Sequence, residues 1–203
     1  MPPEIKLRAR RDVVCALACL PWAARAQSPL AGVKVEGQQF DAVAQVAGTD
    51  LVLNGAGVRA VAWFRAFVAG LYLAQPARSP AQATGQPGPK RLQLRMLREL
   101  PAAEFSKAIG KGVPRNVGSA ELLALQTRLD LFGAQIASLN KVRLGDVIDL
   151  DHAPGQGMAM RVNGKLHTHA IDGDDFFPAV LLSFVGQLPY DDKLKAGLLG
   201  LPP

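Results

Sequence analysis

Arg59 is the side chain best placed to do chemistry in this sequence. It follows Gly55-Ala56-Gly57 and opens a segment that is almost wholly apolar from Val58 to Leu73. A guanidinium at the mouth of an apolar cavity can hold a carboxylate or a developing oxyanion, bidentately where geometry allows. The same residue in the same place also suits a structural ion pair, or a surface arginine whose stem covers apolar neighbours. Residue type and spacing leave both roles open.

The other polar groups are less pointed. His167 and His169 stand two apart in a segment with strand periodicity, so they would share a face. With Asp149 or Asp151 as a further ligand they could begin a metal site. Solvent-facing histidines explain the pattern with fewer requirements, and no metal is expected. Asp149, Asp151, Asp172, Asp174 and Asp175 form a carboxylate-rich stretch. Acid–base work is one use for it; strand-edge charges and a helix cap are the plainer one. Gly55-Ala-Gly57-Val-Arg-Ala60 has the letters of a dinucleotide fingerprint. The following segment is strand-like, though, and no acid follows at the spacing of a ribose-binding carboxylate. The glycines read instead as a tight turn. No Gly-x-Ser-x-Gly elbow, phosphate loop or zinc-helix motif occurs, and no cofactor is expected.

The elements that must position these groups follow from periodicity. Val43–Val46 and Leu51–Asn54 read as short strands, the second stopped by the glycines. Val58–Leu73 is apolar at both odd and even positions, which predicts one central strand covered on each side. Gln75–Lys90 holds four prolines and predicts a loop with one helical turn. Arg91–Leu97 alternates as a half-buried strand does. Pro101–Lys111 predicts a helix, and Ser119 an N-cap for a second one from Ala120 to about Leu131. Asp146–His152, Met158–Val162 and Lys165–Ile171 then predict a meander, its last hairpin turning at Asn163-Gly164. Asp172–Asp175 caps a helix over Phe176–Phe184, and Pro189-Tyr190-Asp191-Asp192 starts a final one. Strands, two helices, a meander and two more helices make an α+β fold.

The chain has 203 residues and a formal charge of +6. Residues 1–26 combine a basic start, the short apolar run Val13–Ala24 and the exit Ala24-Arg25-Ala26. That pattern predicts a signal peptide cleaved near Ala26 and a periplasmic or secreted protein, with one domain over 27–203. The leader carries five basic and two acidic residues, so the remainder carries only +3. Such mild, dispersed charge argues against a nucleic-acid partner. Cys15 and Cys19 both lie in the leader, so the mature chain has no disulfide and no thiolate. No mature segment is apolar for long enough to predict a transmembrane helix.

Leu53-Asn54-Gly55-Ala56-Gly57-Val58-Arg59, followed by Val68-Ala69-Gly70-Leu71-Tyr72-Leu73, resembles the opening signature of the chalcone isomerase superfamily. Gly145-Asp146, Pro154-Gly155-x-Gly157, Asn163-Gly164, Asp175-Phe176-Phe177 and Leu198-Leu199-Gly200 resemble its exported bacterial chalcone isomerase-like branch, over roughly residues 35–200. The resemblance implies an open-faced β-sandwich: a large antiparallel sheet with helices packed on one face and a ligand cleft between them. It implies that Arg59 matches the arginine that stabilises the substrate oxyanion in the plant isomerases. In fatty-acid-binding members that arginine, with a tyrosine, holds a carboxylate. Three departures stand out. Phe67 replaces a threonine, Phe105 a helix tyrosine, and Gly112 an asparagine. Phenylalanine has no hydroxyl with which to position a water or phenolate.

Three functions follow from this reading. The first is a non-catalytic carrier of a small apolar or aromatic acid, with Arg59, Phe67, Tyr72 and Phe105 as ligand-binding residues and Phe176–Phe184 lining the pocket. The second is an isomerase of the intramolecular lyase type acting on a chalcone-like enone. Arg59 would stabilise the oxyanion, and Tyr72 or a histidine would serve as acid or base. The third is an envelope interaction module whose cleft is filled by side chains such as Trp63 and Phe67. The missing hydroxyls place the carrier first.

Overall fold

The computed structural model describes residues 32–61 and 64–202. The predicted signal peptide lies outside the described residues. The chain starts with a small hairpin, β1 (Val33–Val35) and β2 (Gln38–Phe40), then enters the main sheet through β3 (Val43–Val46), β4 (Thr49–Val61) and β5 (Phe64–Leu73). The segment expected to be one central strand is therefore two. β4 and β5 form a long antiparallel hairpin in which Val61 pairs with Phe64 and Arg59 with Phe67. Both arms are apolar on both faces, and no Gly, Asn or Pro separates them, so periodicity cannot distinguish the hairpin from a continuous strand. Gly55-Ala56-Gly57 is not a turn either. β4 runs through it, with a register shift between Leu53 and Gly55.

Next come α1 (Pro80–Gly85), β6 (Lys90–Met96), the short β7 (Leu100–Pro101), α2 (Ala102–Gly112) and α3 (Ser119–Ala137). The N-cap of α3 is Gly118, without a side-chain bond, rather than Ser119. After β8 (Lys141–Val142), a meander of β9 (Val147–Ala153), β10 (Gly157–Val162) and β11 (Lys165–Leu166) follows, and then α4 (Phe176–Val185) and α5 (Asp192–Leu198). Asn163 and Gly164 both have positive φ, 51° and 78°, as the tight turn predicted there requires. β11 is shorter than expected. The chain leaves it after Leu166 and touches the sheet again only where Ile171 bridges to Met158.

Among the described residues the main sheet has seven strands, in the order β11-β10-β9-β6-β5-β4-β3, all paired antiparallel. The helices pack on one face of it. Phe67, Ala69, Leu71 and Leu73 of β5, with Leu92, Leu94, Leu150 and Met160, join Leu125, Phe132, Phe184 and Leu194 of the helices in one core. Burying each Leu, Phe or Met side chain among these contributes about 1.5–3 kcal/mol. The alternate β5 residues Val68 and Tyr72 face the other way, where Phe40 of β2, Val46 and Leu51 cover them. No helix of the described residues is long and apolar enough to cross a membrane. The expected α+β sandwich, a large antiparallel sheet with helices on one face, is the observed architecture.

At one end of the helix-covered face, His152 and Lys90 pair across β9 and β6, both buried. His152 stacks on Phe177, with centroids 5.6 Å apart, and its Nδ1 has no partner. Burial, and then the charge of Lys90, push its pKa down, with Asp174 opposing. The folded protein thus holds fewer protons on this ring than the unfolded chain. Its contribution to stability is complete above the unfolded value of about 6.5 and is lost as pH falls below it. His152→Phe is expected to reduce the loss of stability between pH 7 and 5. Urea midpoints at the two pH values measure this, and an unchanged difference would show that His152 does not titrate in that range.

Candidate functional site

The Asn54–Arg59 strip of β4 is built around α5. Asn54, at the register shift, donates to the Leu198 carbonyl at 2.7 Å and to that of Ala77 at 3.0 Å, and accepts from the Ala77 N–H at 2.6 Å. A Cβ at Gly55 would overlap the Gly197 carbonyl oxygen, and one at Gly57 would stand 3.0 Å from that of Leu194. The glycines therefore allow close approach of backbone to backbone, not a turn. Gly55→Ala is expected to lift α5 off the sheet and to destabilise the protein by about 1–3 kcal/mol, as overpacking does. A thermal melt matching the parent's would refute this account of the glycines.

Arg59 ends the strip on the helix-covered face. Its Nη1 donates to Asp191 Oδ2 at 3.2 Å and to the Ala60 carbonyl at 2.8 Å. The ion pair, one of the two roles the sequence left open, is thus present. Asp191 is also the N-cap of α5, and its Oδ1 accepts from the Lys193 and Leu194 N–H groups at 2.9 and 3.0 Å.

Beside this pair lies a cleft of about 220 Å³ between sheet and helices. Phe67 and Phe105 meet in it, their centroids 5.3 Å apart, and Phe64, Ile109 and Phe184 complete most of an apolar wall. Arg59, Glu104 and Tyr190 supply its polar atoms. Glu104 is tied to Lys107 at 2.9 Å on the exposed rim. Beyond Phe105, Ile109 and Phe184, which line both spaces, an inner void of about 20 Å³ is walled only by apolar side chains, among them Leu94, Phe132 and Met160.

The structure brings Arg59, Phe67 and Phe105 together but not Tyr72. Tyr72 is on the opposite face of the sheet, donating to the Asp41 carbonyl at 3.0 Å. Burial pushes its phenol up to about 12. Alternation carried the signal: positions 67 and 72 differ by an odd number, so a regular strand turns them to opposite faces. The tyrosine of the cleft is Tyr190, which the sequence reading passed over as part of a helix start. Its ring meets Phe184 edge-on at 5.1 Å. Its hydroxyl takes the space where a side chain at Gly112 would stand, 2.5 Å from an ideal Cβ. Burial raises its pKa, with the nearby Ser183 hydroxyl acting against this. Neither hydroxyl reaches hydrogen-bonding geometry with a partner among the described residues. Of the helix expected to line the pocket, Phe184 does so, whereas Phe177 stacks on His152 and Phe176 meets Phe132 edge-on at 5.8 Å.

The remaining candidates lie elsewhere. His167 Nε2 sits 2.9 Å from Ser138 Oγ, and His169 is exposed beyond the end of β11. The two do not share a strand face, because the strand ends before them. Among the described residues no three metal-ligating side chains converge. Asp149 and Asp151 are not edge charges. They belong to β9, inside the sheet, on the face away from the helices. Asp151 takes a bidentate pair from Arg91 at 2.6 and 2.7 Å, and Asp149 accepts from Gln93 at 2.8 Å. Burial raises the Asp149 pKa, opposed by the Gln93 bond. Asp175 does not cap α4 through its side chain. It pairs with Arg128 at 2.6 and 2.8 Å, which lowers its pKa.

Over residues 32–200 the sequence matches the family described as chalcone isomerase-like. Among solved structures, the fatty-acid binding protein of Arabidopsis thaliana (AtFAP1) is similar in fold. It is 15% identical with a TM-score of 0.64, over 83% of this chain and 95% of that one. No curated protein matches the sequence.

Proposed function

Because the chain belongs to the chalcone isomerase-like family, we propose that its cleft is a binding site for a small apolar carboxylic acid, fatty-acid-like or aromatic, with Arg59 as the anion clamp. One observation carries this reading: a single guanidinium stands at a mostly apolar cleft between sheet and helices. Nη1 is engaged, while Nε and Nη2 make no hydrogen bond among the described residues, so their N–H groups remain for a ligand oxygen. The similar Arabidopsis protein is a fatty-acid binding protein, which supports an acid as the ligand class. The cleft is smaller than the usual ligand pocket of about 300–1,000 Å³. A single-ring or medium-chain acid suits it as it stands. A longer tail would have to turn Phe105 or Phe184 aside and run into the inner void.

Binding without turnover is the better reading because Phe67 and Phe105 line the cleft where the resemblance leads one to expect hydroxyls. The signal-like residues 1–26 support export to the periplasm or beyond. Native mass spectrometry on protein purified from a bacterial periplasm, and then soaked with decanoic acid, tests both points. The expected result is a chain that has lost about 26 residues, as the small-x-small exit site implies, carrying one acid. A protein that stays ligand-free after soaking with fatty acids and flavonoids would overturn the binding reading. A chain that stays in the cytoplasmic fraction at full length would overturn export.

A further inference from the structure

The clamp is already occupied by a carboxylate of the protein's own. Asp191 is held there independently of Arg59. Its Oδ1 caps α5 through the Lys193 and Leu194 N–H groups, and α5 is seated by its contact with Gly55 and Gly57. Only Oδ2 is left over, and it lies 3.2 Å from Arg59 Nη1. The Asp191 side chain is 16% exposed, so the pair is only partly screened by solvent. Glu104, the acid that lines the cleft itself, is 59% exposed and engaged with Lys107.

This arrangement treats ligand head groups unequally. An incoming carboxylate must displace Oδ2 or stand beside a like charge. A neutral acceptor, such as an ester or ketone oxygen, can take the free N–H groups of Arg59 without doing either. Resting on the binding reading above, we propose that Asp191 is a specificity-determining residue. It is an internal carboxylate that weakens acids relative to neutral carbonyl ligands in the same cleft and so keeps a bound acid exchangeable.

Asp191→Asn separates the two duties of the residue. Asparagine caps a helix about as well as aspartate but brings no charge to Arg59. Asp191→Ser also caps and is too short to reach the guanidinium. The affinities of decanoic acid and methyl decanoate, measured by calorimetry on the parent and both variants, read the effect. The acid is expected to bind up to about fivefold more tightly to either variant, the scale of one partly exposed charge pair, with the ester unchanged. An acid-to-ester ratio equal to the parent's in a variant with a native circular dichroism spectrum would reduce Asp191 to a helix cap and leave the binding reading intact. A parent that binds neither compound would remove the binding reading, and this proposal with it.

Discussion

Arg59→Ala is expected to remain folded and to lose most of its affinity for acids. Hydrogen bonds to a charged group contribute about 1.5–3 kcal/mol, so decanoic acid should bind about 10- to 150-fold more weakly. The effect on stability should be small. The pair with Asp191 is partly exposed, 25% and 16% at the two side chains, and such pairs contribute about 1 kcal/mol or less. Asp191 keeps its bonds to the first turn of α5, so the helix has no reason to leave. Calorimetry and a thermal melt on the same sample give both quantities. Undiminished acid binding by folded Arg59→Ala would mean that the guanidinium is an ion-pair partner only. The cleft would then recognise its ligand by apolar contact alone.

On the other face of the sheet the expected effect is on stability. Arg91→Met should destabilise the protein by about 3–5 kcal/mol, the usual consequence of stripping one partner from a buried ion pair. Arg91 is 15% exposed and Asp151 9%. Arg91 also lies 3.8 Å from Asp149, while Arg161, at 3.4 Å from Asp151, is 40% exposed and a weaker substitute. Such a loss is a large part of the roughly 5–15 kcal/mol that holds a domain folded. The deficit should shrink in acid. The Asp149 pKa is already raised by burial, so the folded state takes up a proton there more readily than the unfolded chain. A raised carboxyl contributes stability below the ordinary value of about 4, and this is lost as pH rises through the folded value. Urea midpoints at pH 7.5 and 5 are the measurement. A variant as stable as the parent at pH 7.5 would show that the Arg91 pair contributes nothing net.

Local pattern determined a good deal of this protein. Alternation in Arg91–Leu97 and Met158–Val162, the Asn163-Gly164 turn, the apolar stripe of Pro101–Lys111 and the helix start at Pro189–Asp192 each reflect forces within a few residues, and each element stands close to its expected place. The α+β architecture follows from their order. Arg59 was conspicuous as a cation in an apolar run, whereas Phe67 and Phe105 were singled out only through the resemblance to the chalcone isomerase superfamily. Other features depend on residues far apart in the chain, and the tertiary structure alone decided them. Whether Val58–Leu73 continues or doubles back depends on what covers each arm. The glycines of β4 have their reason in α5, more than 130 residues later, where backbone must touch backbone. Asp149 and Asp151 look like surface charges until Arg91 and Gln93 of the neighbouring strand enclose them. The partner of Arg59 is the clearest case. Asp191 was visible as a helix start, but that its second oxygen would face Arg59 is set only by the seat of α5 on Gly55 and Gly57. Short-range preferences are written in local sequence, whereas a contact between distant segments exists only once the sheet and helices have packed.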